Sequence, residues 1–239
     1  RPEEITVHDL LPAAVERVKT TFGVSAAESN AAVLAQSELV VLAVKPQFYE
    51  EVIREIAPGE QQGQVIVTIA PGKTLAWLAE VFGKELPIVR TMPNTPAMVG
   101  EGITAVCPNE QVTPQMLETV LKVLGGFGKA EVIPERLMDA VVAVSGSSPA
   151  YIFMLIEAMA DAAVAEGMPR QQAYTFASQA VLGSAKMVLE TGKHPGELKD
   201  MVCSPAGTTI EAVQVLEETG FRSSVMQAMR TCAKKSRSM

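Results

Sequence analysis

Leu39-Val40-Val41-Leu42-Ala43-Val44-Lys45-Pro46 is the stretch on which the reading of this chain turns. Its apolar run has no polar alternation, which describes a strand buried on both faces, as in a parallel sheet covered by helices. The Lys-Pro pair then ends it, because proline fixes φ and cannot donate to a ladder. Outward from this strand the pattern repeats. Ile5-Thr6-Val7 precedes it, and Val65-Ile66-Val67-Thr68-Ile69 and Pro87-Ile88-Val89-Arg90 follow. Amphipathic stretches from Pro12 to Phe22, Gln47 to Ile56 and Leu75 to Phe82 lie between them. Strands alternating with helices predict an α/β fold over residues 1–133, a Rossmann-like parallel sheet. Beyond Pro134 the strand signals stop. Long Ala/Met/Leu/Val-rich segments, Ala150 to Glu166 and Gln171 to Glu190, predict an all-α domain over residues 134–239.

Composition narrows the function classes. With 239 residues, 48% of them hydrophobic and 20% charged, the chain can bury two modest cores. A net charge of −7, with Lys234, Lys235 and Arg237 as the only basic cluster, argues against nucleic acid. No stretch offers the roughly 18 uninterrupted apolar residues of a membrane span, and the first residues are polar. A cytoplasmic protein is expected. Cys107, Cys203 and Cys232 lie far apart without C-x-x-C spacing, and His8 and His194 are the only histidines, so neither a metal site nor a Ser/His/Asp triad is expected.

Ligands of open parallel sheets bind at the carboxyl edge, so the residues after each strand matter most. Three strands end in rigid turns: Ala43-Val44-Lys45-Pro46, Ile69-Ala70-Pro71-Gly72, and Arg90 through Met92-Pro93-Asn94-Thr95-Pro96. Such turns present main-chain groups to a flat ligand at low entropic cost. Together they suggest a nucleotide crevice. Lys45 reads equally as a strand-edge cap or a cofactor contact. Asn30 reads as a helix cap or a ribose or adenine contact. Asp9, after the Ile5 strand, stands where an acidic residue bonds ribose hydroxyls and favours NAD over NADP, though a loop cap is the commoner role.

In the helical half, Ser145-Gly146-Ser147-Ser148-Pro149-Ala150-Tyr151 has the pattern of a serine cap ahead of an apolar helix. Glu157 and Asp161, four apart, read as a solvated stripe or a packing contact rather than an acid/base pair. Cys203-Ser204-Pro205-Ala206-Gly207-Thr208-Thr209-Ile210-Glu211 places small turn residues and two hydroxyls at a helix start. Free amides and the positive end of the helix dipole converge there, which suits either a plain capping turn or a small carboxylate ligand.

Lys45-Pro46, Met92 to Pro96 with Gly100 and Gly102, Asp139-Ala140-Val141 leading to Tyr151, His194-Pro195-Gly196, Leu198-Lys199-Asp200 and Ser204-Pro205 to Thr209 occur in an order that resembles pyrroline-5-carboxylate reductase over essentially the whole chain. The resemblance implies reduction of L-1-pyrroline-5-carboxylate to L-proline with NADPH or NADH. It implies cofactor contacts at Asn30, Ala43, Val44, Lys45, Pro46, Ile69, Ala70 and Pro71. Substrate contacts would come from Ser204, Gly207, Thr208 and Thr209, with Glu135 a further candidate. Thr209 would hydrogen-bond the ring nitrogen as the catalytic residue. The resemblance also implies a homodimer through the C-terminal helices, often assembled into a decamer.

Two departures stand out. Glycine is usual in that family where Ala206 stands and often found where Ser148 stands. The family also opens with a strand and a G-x-G-x-x-G-type loop under the pyrophosphate, whereas this sequence starts at Arg1-Pro2-Glu3-Glu4. A chain without that segment is expected to lack normal turnover, which leaves a non-catalytic oligomerisation module, or a related imine reductase or dehydrogenase, as the alternative readings.

Overall fold

The computed structural model describes residues 1–238 and divides them into two compact units. The first comprises Arg1–Gly146 with the C-terminal segment from Lys234, and the second Ser147–Ala233. Strands end near Val132, yet the first unit continues through Gly146 because Met138 is buried in a cluster with Ala105 and Cys107, with Val141 packed against it.

The first unit opens with β1 (Thr6–Val7), α1 (Pro12–Phe22), β2 (Ser25–Ala26) and α2 (Asn30–Ala35). Pro12 starts α1 at its first position and Gly23 ends it at φ 70°, a left-handed conformation that glycine adopts without penalty. β1 and β2 form a parallel pair of their own. The main sheet follows, with β3 (Leu39–Leu42), β4 (Val65–Thr68), β5 (Ile88–Met92), β6 (Gly102–Pro108) and β7 (Gly128–Val132) side by side in chain order. α3 (Tyr49–Ile56), α4 (Leu75–Phe82) and α5 (Pro114–Leu124) connect these strands.

The alternation of side chains along β4 explains why its whole sequence is apolar or neutral. Ile66 packs with Leu42, Tyr49, Ile53 and Leu78 on one face, while Val65 and Val67 pack with Val89, Val106 and Val120 on the other. The expected parallel order holds for β3–β4, β4–β5 and β6–β7, whereas β5 and β6 run antiparallel. Only Pro93 to Glu101 separate them, and a parallel return needs a crossover of about a dozen residues or more.

A short helix α6 (Met138–Val141) runs into one π-helical stretch, Val142–Gly146. The second unit is helical, with α7 (Ser148–Ala165), α8 (Arg170–Thr191), α9 (Pro195–Val202), α10 (Thr208–Glu218) and most of α11 (Phe221–Ser236). α7 and α8 pack through small side chains: Ala160, Ala173 and Ala177 are the buried hydrophobic residues among the described residues of this unit. Phe153, Met154, Phe176 and Leu189 on the same helices are each about 60–70% exposed. Ser147 does not cap α7 through its side chain; its hydroxyl accepts instead from the Cys232 thiol at 3.2 Å.

Candidate active site

In the first unit, two of the sequence-derived turns are brought side by side by the register of the sheet. Leu42 pairs with Thr68, so Ala43–Pro46 and Ile69–Pro71 leave the same edge of adjacent parallel strands. Ala43 and Lys45 are exposed, Val44, Pro46, Ile69 and Pro71 half-buried, and Ala70 buried. Short side chains and prolines leave the main chain approachable there. Tyr49, fully buried on α3, links the two turns: its hydroxyl donates to the Leu42 carbonyl at 2.6 Å and accepts from the Ile69 amide at 3.2 Å. Burial pushes the Tyr49 hydroxyl up to about 12, against the opposing pull of the Ile69 and Ala70 amides. Tyr49 belongs to no sequence motif. Its spacing from Ile53 and Ile56, the other buried residues of α3, was the available signal for an inward-facing position.

Asn30 is the first residue of α2, not its cap. Ser29 is the cap, its hydroxyl accepting from the Ala32 amide at 3.1 Å. A cap must sit one residue outside the helix, in extended conformation, and Ser29 does so at φ −156°. The Asn30 side chain is held between His8 Nδ1, 2.9 Å from its Oδ1, and Glu55 Oε2, 2.8 Å from its Nδ2. These bonds orient the amide at the carboxyl side of β1 and β2. Asp9 accepts from the Leu11 amide at 2.8 Å, the loop-capping role.

Glu135 is engaged inside the first unit. Its Oε1 lies 2.8 Å from Arg90 Nη1 and accepts from the Leu75 amide at 2.8 Å, closing the start of α4. The Arg90 side chain is only 7% exposed, so this carboxylate neutralises a charge that water barely reaches. Asn94, in the third strand-end turn, accepts from the Ile103 amide at 2.9 Å and donates to the Ser145 carbonyl at 3.2 Å. It therefore holds the start of β6 and the π-helical stretch to the end of β5.

In the second unit, Ser204, Gly207, Thr208 and Thr209 come together in one turn and helix start. The Gly207 amide donates to the Ser204 carbonyl at 3.0 Å, with Pro205 and Ala206 at the corners of the turn. Ala206 stands at φ 54°, the only non-glycine residue with positive φ among the described residues, and at the position that usually carries glycine in the family resembled above. Gly207 caps α10 without a side chain to offer it. Thr208 and Thr209 are the first residues of that helix, whose opening amides have no intrahelical acceptor. Ser204 and Thr208 are exposed and Thr209 is half-buried. The arrangement can hold an anion on amides and hydroxyls while giving an adjacent atom a hydroxyl partner. Among the described residues, no group of three or more His, Cys, Asp or Glu side chains could hold a metal ion.

Known proteins match both units. Residues 135–239 match a family model described as pyrroline-5-carboxylate reductase dimerisation, and residues 2–72 one described as NADP oxidoreductase coenzyme F420-dependent. The chain is 54% identical to the pyrroline-5-carboxylate reductase of Escherichia coli (strain K12) over 98% of its own length and 87% of the relative. Identity to that of Methanosarcina acetivorans is 41%, over 100% of this chain and 88% of the relative. The fold matches a Coxiella burnetii pyrroline-5-carboxylate reductase at a TM-score of 0.92 and 31% identity, covering 99% of this chain and 88% of that one. It also matches a Plasmodium falciparum pyrroline carboxylate reductase solved with NADP bound, at a TM-score of 0.84 and 32% identity, covering 90% of this chain and 82% of that one.

Proposed function

The chain belongs to the pyrroline-5-carboxylate reductase family, and on that premise we propose which of its residues carry the reduction of L-1-pyrroline-5-carboxylate to L-proline. It is an NAD(P)H-dependent oxidoreductase of proline biosynthesis, and it oligomerises. The observation that carries the assignment of residues is the Ser204–Thr209 turn. A glycine cap, two hydroxyls and the opening amides of α10 suit a small carboxylate beside a polar ring atom.

The substrate carboxylate is taken by the Thr208 and Thr209 amides and the Ser204 hydroxyl, with Gly207 allowing the ligand close to the main chain. The Thr209 hydroxyl holds the imine nitrogen and with it the face of the ring offered for reduction. A protonated imine is already electrophilic, so orientation matters more here than proton transfer by a side chain. The nicotinamide cofactor supplies the hydride when bound. Ala43, Val44, Lys45, Pro46, Ile69, Ala70 and Pro71 form its bed, where the small alanines and rigid prolines fit a flat, partly apolar ligand. Asn30 reaches the adenosine end, its amide oriented by His8 and Glu55. Glu135 contributes indirectly, by keeping Arg90 paired and α4 in place below the Pro71 turn.

The proposal includes a homodimer formed through the exposed apolar faces of α7 and α8, with dimers assembling into a decamer. One helical run, Glu135–Ala165, is long and apolar enough by length and composition to cross a membrane. The dimerisation match over residues 135–239 supports covering this run with protein rather than lipid. A cytoplasmic location completes the proposal, supported by three unpaired cysteines, which suit a reducing compartment.

Thr209→Val tests the assignment. Loss of one oriented hydrogen bond to a developing charge should lower kcat/KM for the imine by about ten- to a hundredfold, with NADPH binding unchanged. An unaltered kcat/KM would remove Thr209 from the mechanism.

A further inference from the structure

Val65 donates to the Glu38 carbonyl at 2.9 Å in the β3–β4 ladder. With Leu39 opposite Val65 and Leu42 opposite Thr68, the same register would have the Leu42 carbonyl accept from the Ile69 amide. That rung is not made directly. The Tyr49 hydroxyl stands between the two groups, donating to Leu42 O at 2.6 Å and accepting from Ile69 N at 3.2 Å. The last rung of the seam is therefore carried by a side-chain hydroxyl, which bridges the two strands where they leave the sheet. Immediately beyond it lie Ala43–Pro46 on one side and Ala70–Pro71 on the other.

We propose that Tyr49 is a positioning residue for the nucleotide cofactor, its hydroxyl setting the separation of the two turns on which the cofactor lies. This rests on the assignment of those turns to the cofactor. Three features fit the role. Tyr49 opens α3, only three residues after Pro46, so the turn and the brace belong to one short, stiff segment. The ring is fully buried among Leu42, Ile53, Ile66 and Leu78, which leaves the hydroxyl little freedom. The hydroxyl also satisfies a carbonyl and an amide that do not pair with each other at this end of the sheet. Such a spacer opens a crevice at the strand ends without loosening the core beneath it.

The test uses the whole enzyme and four proteins: wild type, Tyr49→Phe, Ala43→Asp and Val120→Ala. Tyr49→Phe keeps the ring in place and removes only the spacer. It should raise the Kd of NADPH, read from its fluorescence, about tenfold, while KM for the imine at saturating cofactor stays within about twofold. Val120→Ala opens the opposite core cluster and lowers Tm, yet should leave the Kd of NADPH unchanged. An unchanged Kd in Tyr49→Phe, beside a weakened one in Ala43→Asp, would overturn the role of Tyr49 alone. An unchanged Kd in Ala43→Asp would overturn the turn assignment, and the proposal with it. Equal weakening in Val120→Ala and Tyr49→Phe would reduce the tyrosine to general stability and also overturn the proposal.

Discussion

The amide of Gly207 donates to the carbonyl of Ser204 at 3.0 Å, and the Ser204 hydroxyl lies where a side chain on Gly207 would have to be. Turn and hydroxyl are thus interlocked by the absence of one carbon. Gly207→Ala should displace the Ser204 hydroxyl or open the turn. Either outcome appears as a rise of tenfold or more in KM for the imine, with the Kd of NADPH unaffected.

Ala206→Gly should act in the opposite sense on stability. An alanine at φ 54° carries a left-handed penalty of about 1–2 kcal/mol, offset in part by the roughly 0.4–1 kcal/mol of extra chain entropy that glycine loses on folding. The net expectation is a gain of between about 0 and 1.6 kcal/mol in urea unfolding. A loss of stability would mean that Ala206 makes a contact worth more than its strain.

Glu135→Ala should destabilise the first unit by about 2–4 kcal/mol, since it strands a buried guanidinium and uncovers the Leu75 amide at once. Glu135→Gln retains an oxygen for both donors and should cost about half as much. Thermal unfolding of the two variants side by side measures the difference. Equal losses would show that the charge, rather than the hydrogen bonds, is what matters at this position.

Alkaline pH offers a readout specific to Tyr49. Its hydroxyl titrates near 12 in the folded protein against 10.0 for an ordinary tyrosine, chiefly because burial disfavours the phenolate. Between these values the unfolded chain gives up the proton first. The contribution is therefore complete below pH 10 and disappears as pH rises towards 12, a loss of roughly 2–3 kcal/mol. Subtracting the stability–pH curve of Tyr49→Phe from that of wild type should isolate this descent. A flat difference over that window would contradict it.

Paired Phe153→Asp and Phe176→Asp substitutions should disrupt the oligomer. Both phenylalanines are largely exposed on helices whose buried contacts are alanines, so their apolar area awaits a partner. Sedimentation of the variant should show a shift towards monomer at micromolar concentration. An oligomer as stable as wild type would place the interface on other helices.

Much of this molecule follows from the order of its residues. Uninterrupted apolar runs specify β3 and most of β4, because strands covered on both faces have little polar side to show. The i, i+3, i+4 spacing of apolar residues specifies α1, α3 and α4, with Pro12 and Gly23 marking both ends of the first. The motifs from Lys45-Pro46 to Thr209 carry the family and the residue types of its chemistry. β2 is two exposed residues long, too short for any periodicity to register. β6 begins at a glycine and ends at a proline, and its antiparallel direction depends on the length of a connection rather than on its own side chains. Arg90 and Glu135 are 45 residues apart, and neither residue alone announces a buried ion pair. Tyr49 reads as one more apolar position of a helix. Only when β3 and β4 lie in register does its hydroxyl meet Leu42 and Ile69, because a hydrogen bond between distant segments exists only once the fold has set their separation.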